Sequence, residues 1–150
     1  MQFHTTSTQT GPRLDLYSQK ILLAATAVAQ RHADLILAEA QALCPPPTTV
    51  PRETPTGDAT GELKASLGMT VIPAAQAASV IILVGTSSDI GLFVEFGTGR
   101  KAEPSEAGEL SHRADWAGMA PQPFLGPARA KAALTYVSSM RTAITSVLQG

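Results

Sequence analysis

Hydrophobic and polar residues divide the chain into two helical ends and a short extended centre. From residue 13 to residue 43 the apolar positions Leu14, Tyr17, Ile21, Ala24, Val28, Leu35 and Ala42 recur at steps of three, four and seven, the spacing of one helix face. Leu22, Leu23, Ile36 and Leu37 widen that stripe, while Arg13, Asp15, Gln19, Gln30, Asp34 and Gln41 fall mostly beside it. The segment is rich in Ala, Leu, Gln and Glu, which favour helix, and Pro12 suits a first helical turn, where a missing N–H costs nothing. One long amphipathic helix is expected, ending before Cys44-Pro-Pro-Pro. Residues 1–12 are polar and without period and read as a loose arm.

Five prolines within residues 44–61 exclude a helix or a central strand there and predict an extended linker. The stretch 61–67 reads as one or two helical turns, with Thr60 available as N-cap. Residues 69–72 read as a short strand. The clearest strand is 79–86; its unbroken apolar run at 80–84 predicts burial on both faces. The two strands pair most simply as an antiparallel hairpin. Residues 92–96 are too short to assign by period. From 97 to 121 no period survives, and a loop of that length in a compact domain is usually functional or disordered. From about Gly126 the helical spacing returns through Leu134, Val137, Met140, Ile144 and Val147, with Arg129, Lys131 and Arg141 beside it. The expectation is one α+β domain over residues 1–150: a long N-terminal helix, a small antiparallel β-sheet, a C-terminal helix and long loops.

Charge narrows the function. Only 15% of the residues are charged and the net charge is −1, against a usual charged share of about 25%. A surface so thinly defended by charge either associates or relies on Ser, Thr and Gln for solubility. Near-neutrality gives no support for tight nucleic-acid binding. The uninterrupted apolar runs are too short to span a bilayer, which needs roughly 20 residues, and the N-terminus lacks a basic-then-apolar leader pattern. The single cysteine, Cys44, excludes an internal disulfide and any Cys-rich zinc site.

The chain carries no recognisable catalytic constellation. His4, His32 and His112 stand at no metal-ligating spacing, and each reads as a solvated or partly buried ring. Cys44 lies beside Leu43 and three prolines, with no base to make a thiolate. Gly97-Thr-Gly-Arg-Lys101 fails the phosphate-loop pattern, because Arg100 intervenes and Ala102 follows Lys101. Glu95 has no carboxylate at helical or strand spacing, and Glu103, Glu106 and Glu109 sit in a stretch of mixed charge. A hydrolase would need a nucleophile and base that are not visible.

Three motifs in order carry more information than any one of them. Thr60-Gly-Glu-Leu-Lys-Ala-Ser66 follows the proline-rich linker. Glu95-Phe-Gly-Thr98 follows the second strand, and Pro123-Phe-Leu-Gly-Pro127 leads into the last helix. This order resembles the neck or tail-completion proteins of long-tailed bacteriophages, the gene-product-ten family of lambda-like phages. The matches fall at Thr60, Gly61, Leu63, Lys64 and Ser66, at Glu95, Phe96, Gly97 and Thr98, and at Pro123, Phe124, Leu125 and Pro127. The family often carries Arg where Gly126 stands here, and an aromatic residue at the place of Ile90 or Leu92.

The residue chemistry suits a structural role. Gly97 permits a left-handed or otherwise strained turn, Phe93 and Phe96 can anchor that turn, and Phe124 can act as a core plug. Glu95 can satisfy backbone N–H groups or a neighbour's arginine, which would bring it to a subunit interface. Pro123 and Pro127 fix a bent entry into the helix. The resemblance implies a non-enzymatic virion protein, without cofactor or metal, assembled in the bacterial cytoplasm. It implies a homo-oligomeric ring, hexameric or dodecameric, at the head–tail junction. Its partners would be head-completion or connector proteins and a tail terminator or tail tube, and DNA would cross the lumen unread; no membrane contact is implied. Arg100, beside the second motif, joins the candidate contact residues. Tail-terminator and head-closure roles at the same junction, or a cytosolic assembly chaperone or binding module, are the alternatives.

Overall fold

The computed structural model describes residues 10–46, 61–73, 80–98 and 117–149. Six elements follow in order: α1 (Thr10–Leu43), α2 (Glu62–Ala65), β1 (Leu67–Pro73), β2 (Val80–Thr86), α3 (Ile90–Phe96) and α4 (Leu125–Gln149). The long helix, the small antiparallel sheet and the C-terminal helix make the chain α+β, as its periodicity predicts. α1 starts at Thr10, so the expected arm loses its last residues to the helix; residues 1–9 lie outside the described residues. So do Thr60, Arg100 and the middle of the expected 97–121 loop.

α1 is the spine. It packs lengthwise on α4 and across both strands. Its buried side chains are Val28, His32, Ala33 and Ala40, whereas Tyr17, Leu23 and Leu35 from the predicted stripe stand exposed. α1 contains a stretch, Asp15–Leu43, that is long and apolar enough by length and composition to cross a membrane, an 18-residue window of it reaching a mean hydropathy of 1.3. Uninterrupted runs understate that average, because Thr26 and Gln30 break the apolar sequence without lowering its mean far. Here one side of the stretch is spent on α4 and the sheet.

The α1–α4 seam is built from small side chains. Ala128 and Ala132 are buried, while Leu134 and Val137, from the row expected to face inward, are 83% and 66% exposed. Alanine lets two helices approach closely and bury backbone-proximal surface, so Leu134 and Val137 at the N-terminal part of that row are left exposed. Met140, Ile144 and Val147 are half-buried. His32 is a satisfied core residue in this seam. Its Nδ1 lies 3.1 Å from the Val28 carbonyl oxygen, its Nε2 lies 3.4 Å from Thr135 Oγ1, and its ring meets Tyr136 edge-on at 5.1 Å. At the surface, Lys131 Nζ donates to Glu39 at 2.7 Å across the same seam.

The hairpin register pairs Gly68 with Gly85, Thr70 with Leu83 and Ile72 with Ile81 on one face; Met69 with Val84 and Val71 with Ile82 lie on the other. The expectation that residues 80–84 are covered on both faces is not met. Ile81 and Leu83 are about half exposed, and the strand alternates like one covered by α1 on a single side. Two strands and two helices cannot sandwich a sheet whose second face meets neither helix.

The core sits where the ends of α1 and α4 meet the short elements. Ala40, Leu63, Leu67, Ile90, Val94, Phe124 and Ala128 form it, with Ile36, Leu37, Cys44, Met119 and Leu125 packed against them. α2 places Leu63 there. Its N-cap is Gly61 in the left-handed region (φ 81°), not Thr60. Ser66 ends the turn by donating from Oγ to the Leu63 carbonyl at 2.7 Å, and lies 2.5 Å from Thr86 Oγ1. Thr86 Oγ1 also accepts the Ser88 N–H at 3.0 Å, so Ser66 and Thr86 fasten the start of β1 to the end of β2.

Candidate functional site

The second and third sequence motifs meet at one joint. Residues 90–96, too short to classify from period, form α3, whose inner side carries Ile90, Val94 and Glu95. Glu95 is the buried carboxylate of the described residues. Its Oε2 accepts the backbone N–H groups of Phe124 and Leu125 at 2.8 and 2.9 Å, and its Oε1 accepts that of Gly126 at 2.7 Å. These are donors of the first turn of α4, which has no earlier turn to bond to. Glu95 therefore caps α4 from a distant part of the chain, and its negative charge sits at the positive end of that helix dipole. Both carboxylate oxygens are engaged inside the chain, on backbone N–H groups.

The chain after Glu95 doubles back through Gly97, which has φ 75° and ψ −175°. A Cβ there would stand 2.7 Å from the Met119 carbonyl oxygen and 2.8 Å from Pro121 Cδ. Both the dihedral and the space require glycine. Thr98 then bonds Met119 twice: its N–H donates to the Met119 carbonyl at 2.9 Å, and its Oγ1 accepts the Met119 N–H at 2.9 Å. The Gln122 N–H donates to the Val94 carbonyl at 2.8 Å, completing the joint. Phe124, delivered by this pairing, has no exposed surface.

The remaining motif residues serve different ends. Leu63 is fully buried in the core and Lys64 is exposed. Phe96 is half-buried. Pro123 is exposed, as is Pro127 inside the first turn of α4, where its missing N–H removes no helical bond. Two contributions are not assigned by the motif reading, although Gly126 and Ser66 stand within its segments. Gly126 accommodates the carboxylate, since a Cβ on it would lie 3.1 Å from Glu95 Oε1. The Ser66–Thr86 contact joins residues twenty apart with no periodic signal.

Outside the joint, large apolar side chains stand exposed on both long helices and the sheet. Leu16, Leu23 and Leu35 project from α1, Ile72, Ile81 and Leu83 from the sheet, and Leu134, Val137 and Leu148 from α4. An open groove of about 500 Å³ runs between α1, β2 and α4, lined by Ile36, Val80, Ile82, Ala132, Ala133 and Tyr136 among others. Where exposed apolar residues join into one large patch they mark an interaction site. α4 contributes three cations, Arg129, Lys131 and Arg141, and no acid. Among the described residues, no three His, Cys, Asp or Glu side chains stand close enough to hold a metal ion. No protein-family model matches the chain, and neither does any curated protein or solved structure.

Proposed function

We propose that the chain is a neck or tail-completion protein of a long-tailed bacteriophage or prophage, a structural and non-enzymatic component of the virion. Copies pack side by side into a ring at the head–tail junction, hexameric or dodecameric, between the head connector and the tail terminator or tube, and DNA passes through the lumen. The observation that carries this reading is the bulky aliphatic surface on the outer sides of α1 and α4. A monomer with a complete core has no use for Leu134 and Val137 in water, whereas lateral neighbours in a ring cover such rows. Head-to-tail contacts of that kind close when the rotation per copy fits. The three motifs that carry the resemblance also cooperate: the first places Leu63, the second caps and turns, and the third supplies Phe124 to the same core.

Near-neutral charge suits a lumen that must not hold phosphate tightly. Mass spectrometry of purified particles tests the reading. The chain is expected at ring-like copy number, far below the capsid protein, and particles lacking it are expected to fill with DNA but fail to join tails. Absence of the chain from intact, infectious particles overturns the proposal in favour of an assembly chaperone.

A further inference from the structure

We propose that the free edge of β2, with the groove beside it, is a docking site for one extended strand of a partner protein, which lies antiparallel to β2 and sets an acidic residue against Arg129. The ladder fixes which backbone groups face that edge. The Ser87 N–H donates to the Ser66 carbonyl at 3.2 Å, one step beyond the Leu67–Thr86 pair. Bonded and non-bonded pairs alternate along an antiparallel ladder. Gly85, Leu83 and Ile81 therefore direct their N–H and C=O groups at β1, and Val84, Ile82 and Val80 direct theirs away from it. Pro73, opposite Val80, stands at a non-bonded place and so withdraws no donor from the hairpin. Among the described residues, nothing pairs with the outward groups of Val80, Ile82 and Val84.

The groove runs along this edge. It takes in Val80, Ile81, Ile82 and Val84 together. Side chains alternate between the two faces of a strand, so consecutive residues border one space only at the strand's rim. Ala33 of α1 and Ala132 and Ala133 of α4 line the groove across from that rim, and their short side chains leave depth for the inward residues of an added strand. The edge itself asks for an extended backbone, because its outward N–H and C=O groups match those of a strand laid beside it. α4 decides between occupants: a folded second copy offering its own β2 edge brings its own α4 into the space where this α4 already stands, whereas a single strand passes between β2 and α4. Charge completes the selection. Arg129 lines the groove, is exposed, and makes no ion pair among the described residues. It follows Ala128, which packs with Leu67 and Ile90, so the cation stands toward the Thr86 end of β2. An antiparallel strand begins at that end, and its acidic residue falls near its own N-terminus.

A titration and hydrogen exchange on the full chain test the site. The probe is a blocked peptide of about seven residues, the length of β2, alternating valine and threonine with a glutamate near its N-terminus. In the free chain the amides of Val80, Ile82 and Val84 are expected to exchange quickly and those of Ile81 and Leu83 slowly. The peptide is expected to bind with a Kd between about 10 μM and 1 mM and to slow the first group. N-methylation of the peptide amides that face β2 is expected to abolish binding, and methylation of the alternate amides to spare it. Replacing the glutamate by lysine, or Arg129→Glu in the chain, is expected to weaken binding about three- to fivefold, and the two changes together to restore it. Ala133→Phe, at an exposed position, fills the groove and is expected to weaken binding about tenfold or more in a chain that still folds. A peptide that fails to bind at about 1 mM, that binds alike with either set of amides methylated, or that ignores Arg129→Glu overturns the proposal. So does slow exchange at Val80, Ile82 and Val84 in the dilute free chain, which would put a segment of this chain on the edge, and so does slowing that comes only as the chain is concentrated, which would put a second copy there. None of these outcomes bears on the ring, which stands or falls on the presence of the chain in particles.

Discussion

Replacing Glu95 with alanine removes one side chain and orphans three donors. The N–H groups of Phe124, Leu125 and Gly126 lie within 2.7–2.9 Å of its oxygens, and Phe124 is fully buried. Hydrogen bonds to a charged group are worth about 1.5–3 kcal/mol each, but bonds that share one carboxylate do not add in full. Loss of a helix cap alone costs about 0.5–2 kcal/mol. Water can reach Gly126, which is exposed, but not Phe124, so the net loss should fall at about 3–5 kcal/mol. For a domain of this size that corresponds to a fall in melting temperature of roughly 6–20 °C. Glu95→Gln separates charge from shape. Its carbonyl can keep the Phe124 and Leu125 bonds, but its NH2 then faces the Gly126 N–H, donor against donor, at the place where Oε1 accepts at 2.7 Å. It should recover only part of the loss. Thermal unfolding followed by far-ultraviolet circular dichroism reads both. If Glu95→Ala melts within about 2 °C of the parent, the cap is not a determinant of stability and the account of the joint fails.

Other perturbations address the same core from different directions. Gly97→Val places a branched side chain at φ 75° and against the Met119 carbonyl; it should destabilise by several kcal/mol, and a variant that unfolds at the parent's denaturant midpoint contradicts the close approach. Phe124→Ala vacates a site with no exposure and should cost about 3–5 kcal/mol, read as a shifted denaturant midpoint at unchanged slope. Gly91→Ala drives a Cβ into the Cγ2 methyl of Thr86, a side chain whose hydroxyl is held by Ser66 and Ser88. The alanine should destabilise, and adding Thr86→Ser, which deletes that methyl and keeps the hydroxyl, should restore most of the loss. A pair of effects that simply add would refute the contact.

Gly97 and Phe124 could be read from the chain because each is the answer to a local demand, whereas for Glu95 the chain left backbone N–H groups and a neighbour's arginine equally open. A left-handed turn asks for glycine, and a large aromatic between prolines at a helix entry asks for burial. The helices and the hairpin were legible for a related reason: their apolar spacing is set by the elements' own geometry. What spacing does not contain is which side the chain itself will cover. In the first half of α4 Leu134 and Val137 stay exposed and Ala128 and Ala132 take the inner side, because short side chains permit closer helix contact, while Met140, Ile144 and Val147 further along the same row are half-buried. In β2 the run 80–84 is apolar on both faces, and only one finds a helix. α3 escaped notice because seven residues span barely two turns, too few for a period to repeat. Gly126 gave no signal, since its value lies in a carboxylate thirty-one positions away.

The paired bonds between Thr98 and Met119 have an architectural effect that reaches past the residues they join. They hold the backbone at 98 against that at 119, so the points where the segment 99–116 leaves and rejoins the described chain are fixed whatever its length. Lengthening such an excursion costs only about 0.6 kcal/mol for each doubling, since its ends are already fastened. Evolution, or an experimenter adding an epitope tag there, can therefore rewrite that segment without renegotiating the placement of α4.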